Sequence, residues 1–207
     1  LKCVLFKGRG GQTSLFEPVN GNMVSVGGRI AVYERDGVYQ LYADWIREQG
    51  KGDLMQAYEK LKAKLTAEGL FALERKKLLP AYPHAIGIVT SSAGAAIRDI
   101  CKVAGRRNPS VALYLTDVRV QGQQAPEEIC AGIRRLERFG GVDAIIVGRG
   151  GGSLEELWAF NDERVVRAIA ACSFPVIAAV GHETDVTLAD FAADVRAATP
   201  SQAAELA

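Results

Sequence analysis

Nowhere in the 207 residues do eighteen apolar residues run together, so no helix able to cross a membrane is expected. Cysteine is sparse. Cys3, Cys101, Cys130 and Cys172 lie far apart without CxxC spacing, which argues against a zinc site and against a disulfide scaffold and fits a reduced, cytoplasmic protein. Histidine is scarcer still, with only His84 and His182, so imidazole chemistry has two places to happen. An excess of one charge is also missing, because the net charge is +1. The charge is nevertheless uneven: residues 1–80 carry 13 Lys and Arg against 9 Asp and Glu, and residues 81–207 carry 12 against 15. A mildly basic front is compatible with a polyanion partner, although a solvated surface with chance asymmetry is the plainer reading. There is no internal repeat and no low-complexity tract. The first residues, Leu1-Lys2-Cys3, are neither a signal peptide nor an initiator, so the sequence is expected to be a piece of a longer chain.

What is present divides into three stretches. Residues 1–48 read as strands: Val24-Ser25-Val26, Arg29–Tyr33 and Val38–Tyr42 alternate or are β-branched, and Asp36-Gly37 is a hairpin signal. Gly10-Gly11 and Asn20-Gly21 read as loop punctuation. This is expected to be a partial small barrel whose first strands are missing. Residues 49–80 read as a helix and linker. Asp53 is the expected N-cap, Leu54, Tyr58, Leu61 and Leu65 share a face, and Gly69 is the expected stop. Pro80 and Pro83 then mark a boundary.

From residue 81 to 207 the pattern alternates between strand and helix. Strands are expected at Ala85–Thr90, Val111–Leu115, Ala144–Val147 and Pro175–Val180. Helices are expected near Gly94–Ala104, Pro126–Arg138, Leu154–Ala159, Asp162–Ala171 and Asp185–Ala193. Short apolar strands, each followed by a helix, imply an α/β fold with a mostly parallel sheet flanked by helices.

In such a sheet, ligands bind beyond the carboxyl ends of the strands. After Thr90 come Ser91 and Ser92, with Asp99 in the following helix. After Val147 come Gly148, Arg149, Gly150, Gly151, Gly152 and Ser153. After Val180 come Gly181, His182, Glu183, Thr184 and Asp185. The glycine run is the clearest of these signals. Its glycines are expected to allow positive φ and exposed N–H groups, and Ser153 and Glu156 have capping-box spacing, so a helix should start there. A glycine loop entering a helix N-terminus is an anion site, to which Arg149 adds a bidentate grip on phosphate. It lacks the endings of both the Walker loop and the dinucleotide fingerprint, and a tight strand-to-helix turn is the plain alternative. His182 and Asp185 are spaced to share one face of a helical turn, with Asp190 close to it; Leu188, Phe191 and Val195 would face the core. His182 suits a general acid or base, the alternative being a turn-capping histidine. Asp99 by itself reads as a surface carboxylate. Arg106 and Arg107 suit phosphates or simply the end of a helix. His84 reads as structural, and Trp45, Trp158 and Phe160 as core.

These residues carry a resemblance. Gly148–Ser153 with Glu155, Leu157-Trp158 and Phe160–Glu163 resembles the signature of the exodeoxyribonuclease VII large subunit, as does Gly181–Thr187 with Asp190 and Arg196–Pro200. Ile86–Ser91, Gly94–Ala96, Arg98–Ile100, Arg106-Arg107, Val120–Gly122, Gly69–Phe71 and Lys76-Lys77 match as well. The resemblance implies a partial N-terminal OB-like domain that binds single-stranded DNA over residues 1–48 and an α/β nuclease domain over 81–207. A coiled coil beyond Ala207 would carry the small subunit. It implies a cytoplasmic DNA-repair exonuclease that hydrolyses single-stranded DNA to short oligonucleotides, with no metal required. The family's functional positions fall on Asp99, Arg149, His182 and Asp185. Ser91, Ser92, Gly148, Gly150, Gly151, Gly152, Ser153, Arg106 and Arg107 are the expected phosphate or DNA contacts. Glu156 stands where the family is expected to have aspartate.

Three alternatives stay open. Mg²⁺ held by Asp99, Asp185 and either Asp190 or Glu183 would make the hydrolysis metal-assisted. A non-catalytic single-strand-binding module would use the β-rich front and the phosphate loop. A phosphate or nucleotide enzyme would use the same sheet.

Overall fold

The computed structural model describes residues 2–5, 24–33, 37–48, 51–151, 154–181 and 186–207. The expected loops at Gly10-Gly11 and Asn20-Gly21, together with Asp36, Gly152, Ser153 and the His182–Asp185 segment, lie outside the described residues. The chain divides into two compact units, residues 1–60 and 61–207.

The first unit contains a three-stranded mixed sheet among the described residues. Strand β1 (Lys2–Leu5) runs parallel to β3 (Val38–Glu48), and β2 (Val24–Tyr33) runs antiparallel to β3 on its other side. The hairpin expected near residues 36–37 joins β2 to β3, with Tyr33 opposite Val38 and Gly37 left-handed at φ 63°. The two expected runs at 24–26 and 29–33 form one strand. Register slips at Gly27/Gly28, where the Trp45 ring and the backbone at Tyr42–Ala43 occupy the space a Cβ would need. A bulge at such a pair keeps both halves in the sheet. Helix α1 (Lys51–Ala67) begins two residues before Asp53, so Asp53 lies in its first turn and is not its N-cap. It ends as expected at Gly69: φ is 73°, Leu70 N donates to Leu65 O at 3.1 Å, and Gly69 N donates to Thr66 O at 2.9 Å. This pair of bonds is the Schellman closure, for which glycine is the residue of least steric cost.

The second unit holds a five-stranded, all-parallel sheet in the order β5-β4-β6-β7-β8. Its strands are β4 (Ala85–Thr90), β5 (Ala112–Asp117), β6 (Ala144–Gly148), β7 (Val176–Ala179) and β8 (Val195–Arg196). Four of them stand within a residue or two of the expected positions. The fifth, β8, lies just beyond the helix expected at Asp185–Ala193 and has no counterpart among the expected strands. The helices are α2 (Ala95–Arg107), α3 (Ala125–Phe139), α4 (Leu154–Leu157), α5 (Glu163–Ala171), α6 (Leu188–Ala192) and α7 (Pro200–Leu206), and 3₁₀ turns occur at Leu73–Arg75 and Trp158–Asn161.

Alternate residues of β4 explain how the layers form. Ile86 and Ile88 pack with Ile100, Val103, Ala104, Ala203 and Ala204 of α2 and α7 on one face. On the other face, a Cβ on Gly87 would meet Leu136, and one on Gly132 would meet Val89 and Val118, so α3 seats closely there. Both faces of the sheet are therefore covered, which is why β6 is buried along its whole length and reads as a continuous apolar run. The Asp194 carboxylate ties the sheet's far side to the segment before β4, accepting from Val176 N and from Lys77 N, both at 2.7 Å.

The core predicts a cysteine reactivity pattern. Cys130 and Cys172 are buried, and burial pushes the Cys172 thiol up to about 11, whereas Cys101 is exposed on α2. The thiolate is the reactive form, so Cys101 is expected to alkylate at neutral pH well before Cys130 and Cys172. Peptide mapping after brief iodoacetamide treatment checks the order; early labelling of Cys172 would contradict this core.

Candidate active site

Strand order locates the site before any residue is named. From β4 the chain passes to β5 on one side and then returns across β4 to β6 on the other. The connections diverge there, so the carboxyl ends of β4 and β6 form the switch point beyond which ligands bind in open α/β sheets. Ser91 and Ser92 follow β4, and Gly148–Gly151 line the end of β6. Because all five strands are parallel, the end of β7, which leads to Gly181 and the His182 segment, opens at the same edge.

Arg149 is the central side chain. It is only 8% exposed, although it follows a strand end. Its Nε donates to Gly150 O at 2.9 Å, and its Nη2 donates to Gly151 O at 3.2 Å and to Glu156 Oε2 at 3.1 Å. Its Nη1 is buried without a hydrogen-bond partner among the described residues. A guanidinium held on one side, with buried donor capacity left over, is a preorganised anion grip. Glu156 thus has a structural job that sequence did not reveal: it anchors the arginine from seven residues away, across a loop, where no periodicity signals contact.

The glycines work differently from the expectation. Gly148 and Gly150 do not have positive φ, so conformational freedom is not what they supply. A Cβ on Gly148 would lie 2.2 Å from Ala179 O, and Arg149 N donates to that same oxygen at 3.0 Å. Glycine at 148 lets β6 and β7 close at their carboxyl ends. Gly150 has open space around it.

Ser92 is held by a residue that sequence reading did not single out. Asp117, the last residue of β5, accepts from Ser92 N at 2.7 Å and from Ser92 Oγ at 2.8 Å. These bonds shape the turn that leads into α2, and they hold the Asp117 carboxyl below the usual carboxylate range. A lowered pKa means that the pair contributes fully above the unfolded value of about 3.9 and is lost as pH falls through the folded value. The Ser92 amide resonance is therefore expected to titrate below about pH 3.9 and to lose that titration in Asp117→Asn. A Ser92 amide that is silent in the native chain would count against the bond.

The remaining candidates are placed as follows. Asp99 is exposed on the second turn of α2. Arg106 and Arg107 end α2, which runs back from the switch point, so they lie toward the amino edge of the sheet and are not brought together with Arg149. Arg107 instead borders a cavity of about 380 Å³ with Tyr82, Pro83 and Asn108. His84 is exposed before β4, and its N–H donates to Asp143 at 2.7 Å. Phe160 is core, as expected, whereas Trp45 is 46% exposed.

Helix α6 begins at Leu188, three residues later than expected. Its Asp190 is buried, and Oδ2 accepts from both Thr187 N and Thr187 Oγ1 at 2.8 Å. Burial pushes this carboxyl up, while the Thr187 bonds and Arg196 pull it back down. Asp190 therefore caps its own helix through Oδ2, while its Oδ1, 3.9 Å from Arg196 Nε, has no hydrogen-bond partner among the described residues. Asn161, named in sequence only as part of the signature, is also buried, and its Oδ1 accepts from Leu188 N at 2.8 Å. An asparagine between Phe160 and Asp162 gave no signal of that bond.

Comparison with known proteins gives the family. The family described as exonuclease VII, large subunit, matches residues 70–207. The exodeoxyribonuclease 7 large subunit of Desulfitobacterium hafniense is 58% identical over 100% of this chain and 51% of its own length. The subunit of Brevibacillus brevis is 57% identical over 93% of this chain and 42% of its own. That of Lachnoclostridium phytofermentans is 57% identical over 100% and 51%. The chain thus spans about half the length of the curated relatives it matches. Among solved structures, a lac repressor dimer bound to operator matches at a TM-score of 0.36 and 19% identity, over 52% of this chain and 35% of that one, too distant to inform function. With the family's model covering the whole parallel sheet and its switch point, the chain belongs to the exonuclease VII large subunit family.

Proposed function

We propose that this chain supplies the hydrolytic core of an exodeoxyribonuclease that cuts single-stranded DNA into short oligonucleotides. The observation that carries the reading is Arg149: a buried guanidinium, fixed by Gly150, Gly151 and Glu156, with Nη1 unpartnered among the described residues at the switch point between β4 and β6. A phosphodiester is the anion that the family's relatives lead one to expect there.

Hydrolysis needs a water deprotonated as it attacks phosphorus, charge neutralised on the non-bridging oxygens, and a proton for the leaving oxygen. Arg149 and the loop amides neutralise charge. His182 moves the proton, Asp185 orients His182 or the water, and Asp99 positions Arg149 or the water. Ser91, Ser92 and the Gly150–Ser153 loop hold the phosphate. The three-stranded front sheet is read as part of an OB-like domain, with residues 1–48 binding DNA, 49–80 linking and 81–207 forming the nuclease domain. The family's small subunit is the expected partner, and the cytoplasm is the expected compartment. If Mg²⁺ takes part, Asp99, Asp185 and either Asp190 or Glu183 are the candidate ligands.

Labelled oligonucleotides test this reading in the full-length protein. Single strands are expected to be degraded and bound more tightly than duplex at equal salt, because a single-strand groove works by stacked bases and phosphate contacts. Single strands retained but left uncut would favour a pure binding module, and DNA ignored altogether would favour a nucleotide enzyme.

A further inference from the structure

A guanidinium carries five N–H hydrogens, one on Nε and two on each Nη, and a phosphate commonly takes one from each of two nitrogens, as a fork. In Arg149 most of that capacity is engaged. Nε donates to Gly150 O at 2.9 Å, and Nη2 donates to Gly151 O at 3.2 Å and to Glu156 Oε2 at 3.1 Å. Nε has one hydrogen and Nη2 has two, so these bonds match the donors on that side, and every fork of the group includes a nitrogen already in use. The two hydrogens of Nη1 are left, buried and without a partner among the described residues. An anion that meets Arg149 in this arrangement meets it through Nη1, in place of the two-nitrogen grip expected from the sequence.

Glu156 differs from the other two acceptors. Gly150 and Gly151 directly follow Arg149 in the chain, so their carbonyls turn with the loop that carries the arginine. Glu156 stands in α4, and its carboxylate is the one acceptor of the three that ties the guanidinium to another element. A side chain only 8% exposed has little water to correct its orientation, so that tie fixes which corner of the group is left over. We propose that Glu156 is a positioning residue, which holds Nη2 of Arg149 and so makes Nη1 the donor that meets the phosphate. The inference rests on the reading of Arg149 as the charge-neutralising group of a nuclease. Displacing such a group by about 1 Å costs on the order of 10²-fold in rate, so one carboxylate is enough to matter.

The test uses the full-length protein with Glu156→Ala, which removes the acceptor, and Glu156→Gln, which keeps an oxygen acceptor and loses the charge. Glu156→Ala is expected to lower kcat on single-stranded DNA by about 10- to 100-fold while KM stays within about threefold. Glu156→Gln is expected to recover most of kcat, because the hold is one of geometry. Nitrogen-15 resonances of the Arg149 side chain, assigned by their absence in Arg149→Lys, give a second readout. A guanidinium bonded at Nη2 turns slowly about its Cζ–Nη2 bond, so Glu156→Ala is expected to speed that turning and Glu156→Gln to leave it slow. The Glu156 side chain is half-exposed, so its loss opens no core cavity. If Glu156→Ala still does not fold, Glu156→Ser, too short to reach Nη2, takes its place in the same comparison. Cleavage by Glu156→Ala within about twofold of the native rate would overturn the proposal, as would an equal loss of kcat in Glu156→Gln with unchanged turning at Nη2. A native protein that cuts no DNA, yet whose Nη2 turns faster in Glu156→Ala, would instead overturn the nuclease reading and leave the hold on Arg149 standing.

Discussion

Arg149→Ala and His182→Ala in the full-length protein are each expected to remove most single-strand cleavage, by about 10²–10³ for the lost charge-stabilising donor and about 10²–10⁴ for the lost proton-transfer group. The fold should survive the arginine change. Its partners Gly150 O and Gly151 O lie on a loop where Gly151 is exposed, and Glu156 is half-exposed, so water replaces the guanidinium. DNA affinity should fall far less than rate, since Arg149 is one cation among many contacts. Arg149→Lys should not restore activity, because a single ammonium cannot bond Gly150 O, Gly151 O and Glu156 and still face a phosphate. Metal-assisted hydrolysis predicts another ranking: Asp99→Ala and Asp185→Ala would be the most severe, chelator would stop the native enzyme, and His182→Ala would keep substantial activity with excess Mg²⁺. Rates for the four alanine variants with and without chelator decide between the two mechanisms, and His182→Ala within a few-fold of the native rate would end the acid–base assignment.

Gly148→Ala is expected to destabilise the second unit by about 3 kcal/mol, the upper end of overpacking costs, while Gly150→Ala stays within about 0.5 kcal/mol of neutral. The contrast follows from the two surroundings. The new methyl at 148 would stand 2.2 Å from a backbone oxygen, Ala179 O, at the last rung between β6 and β7, where no side chain can swing aside. A methyl at 150 meets nothing within 4 Å, and its backbone already has a φ that alanine adopts. Thermal melts of both variants test this. Equal melting temperatures would mean that β6 and β7 are not this close, and the Arg149 N to Ala179 O bond would go with them.

These two glycines show what a motif conceals. Both stand in one conspicuous run, and sequence reading assigned both to phosphate binding through backbone freedom. One of them is there because a neighbouring strand passes too closely for a Cβ, and that strand, β7, lies thirty residues away in sequence. The delayed start of α6 has a similar cause. Periodicity cannot tell that Thr187 and Asp190 bond to each other, nor that Asn161 supplies an acceptor from outside, so Asp185 was the natural guess for the start. Arg106 and Arg107 looked like partners of the phosphate loop, but a helix of thirteen residues carries its end some 20 Å from its beginning at about 1.5 Å per residue.

The sequence alone determined the class of fold, because each short apolar run of β4, β6 and β7 is buried on both faces, and hydrophobic burial is written directly into residue type. It also determined the edge at which polar groups gather, since parallel strands bring all their carboxyl ends to one side, and the signature residues there carried the family. Only the tertiary structure decided the strand order, and with it the switch point between β4 and β6. It also decided that Glu156 anchors Arg149, that Asp117 holds Ser92, and that Asn161 holds Leu188. Each of these is a hydrogen bond between groups 7 to 27 residues apart in sequence. Such bonds depend on distances of about 3 Å, set by the packing of whole layers, and leave no periodic trace along the chain.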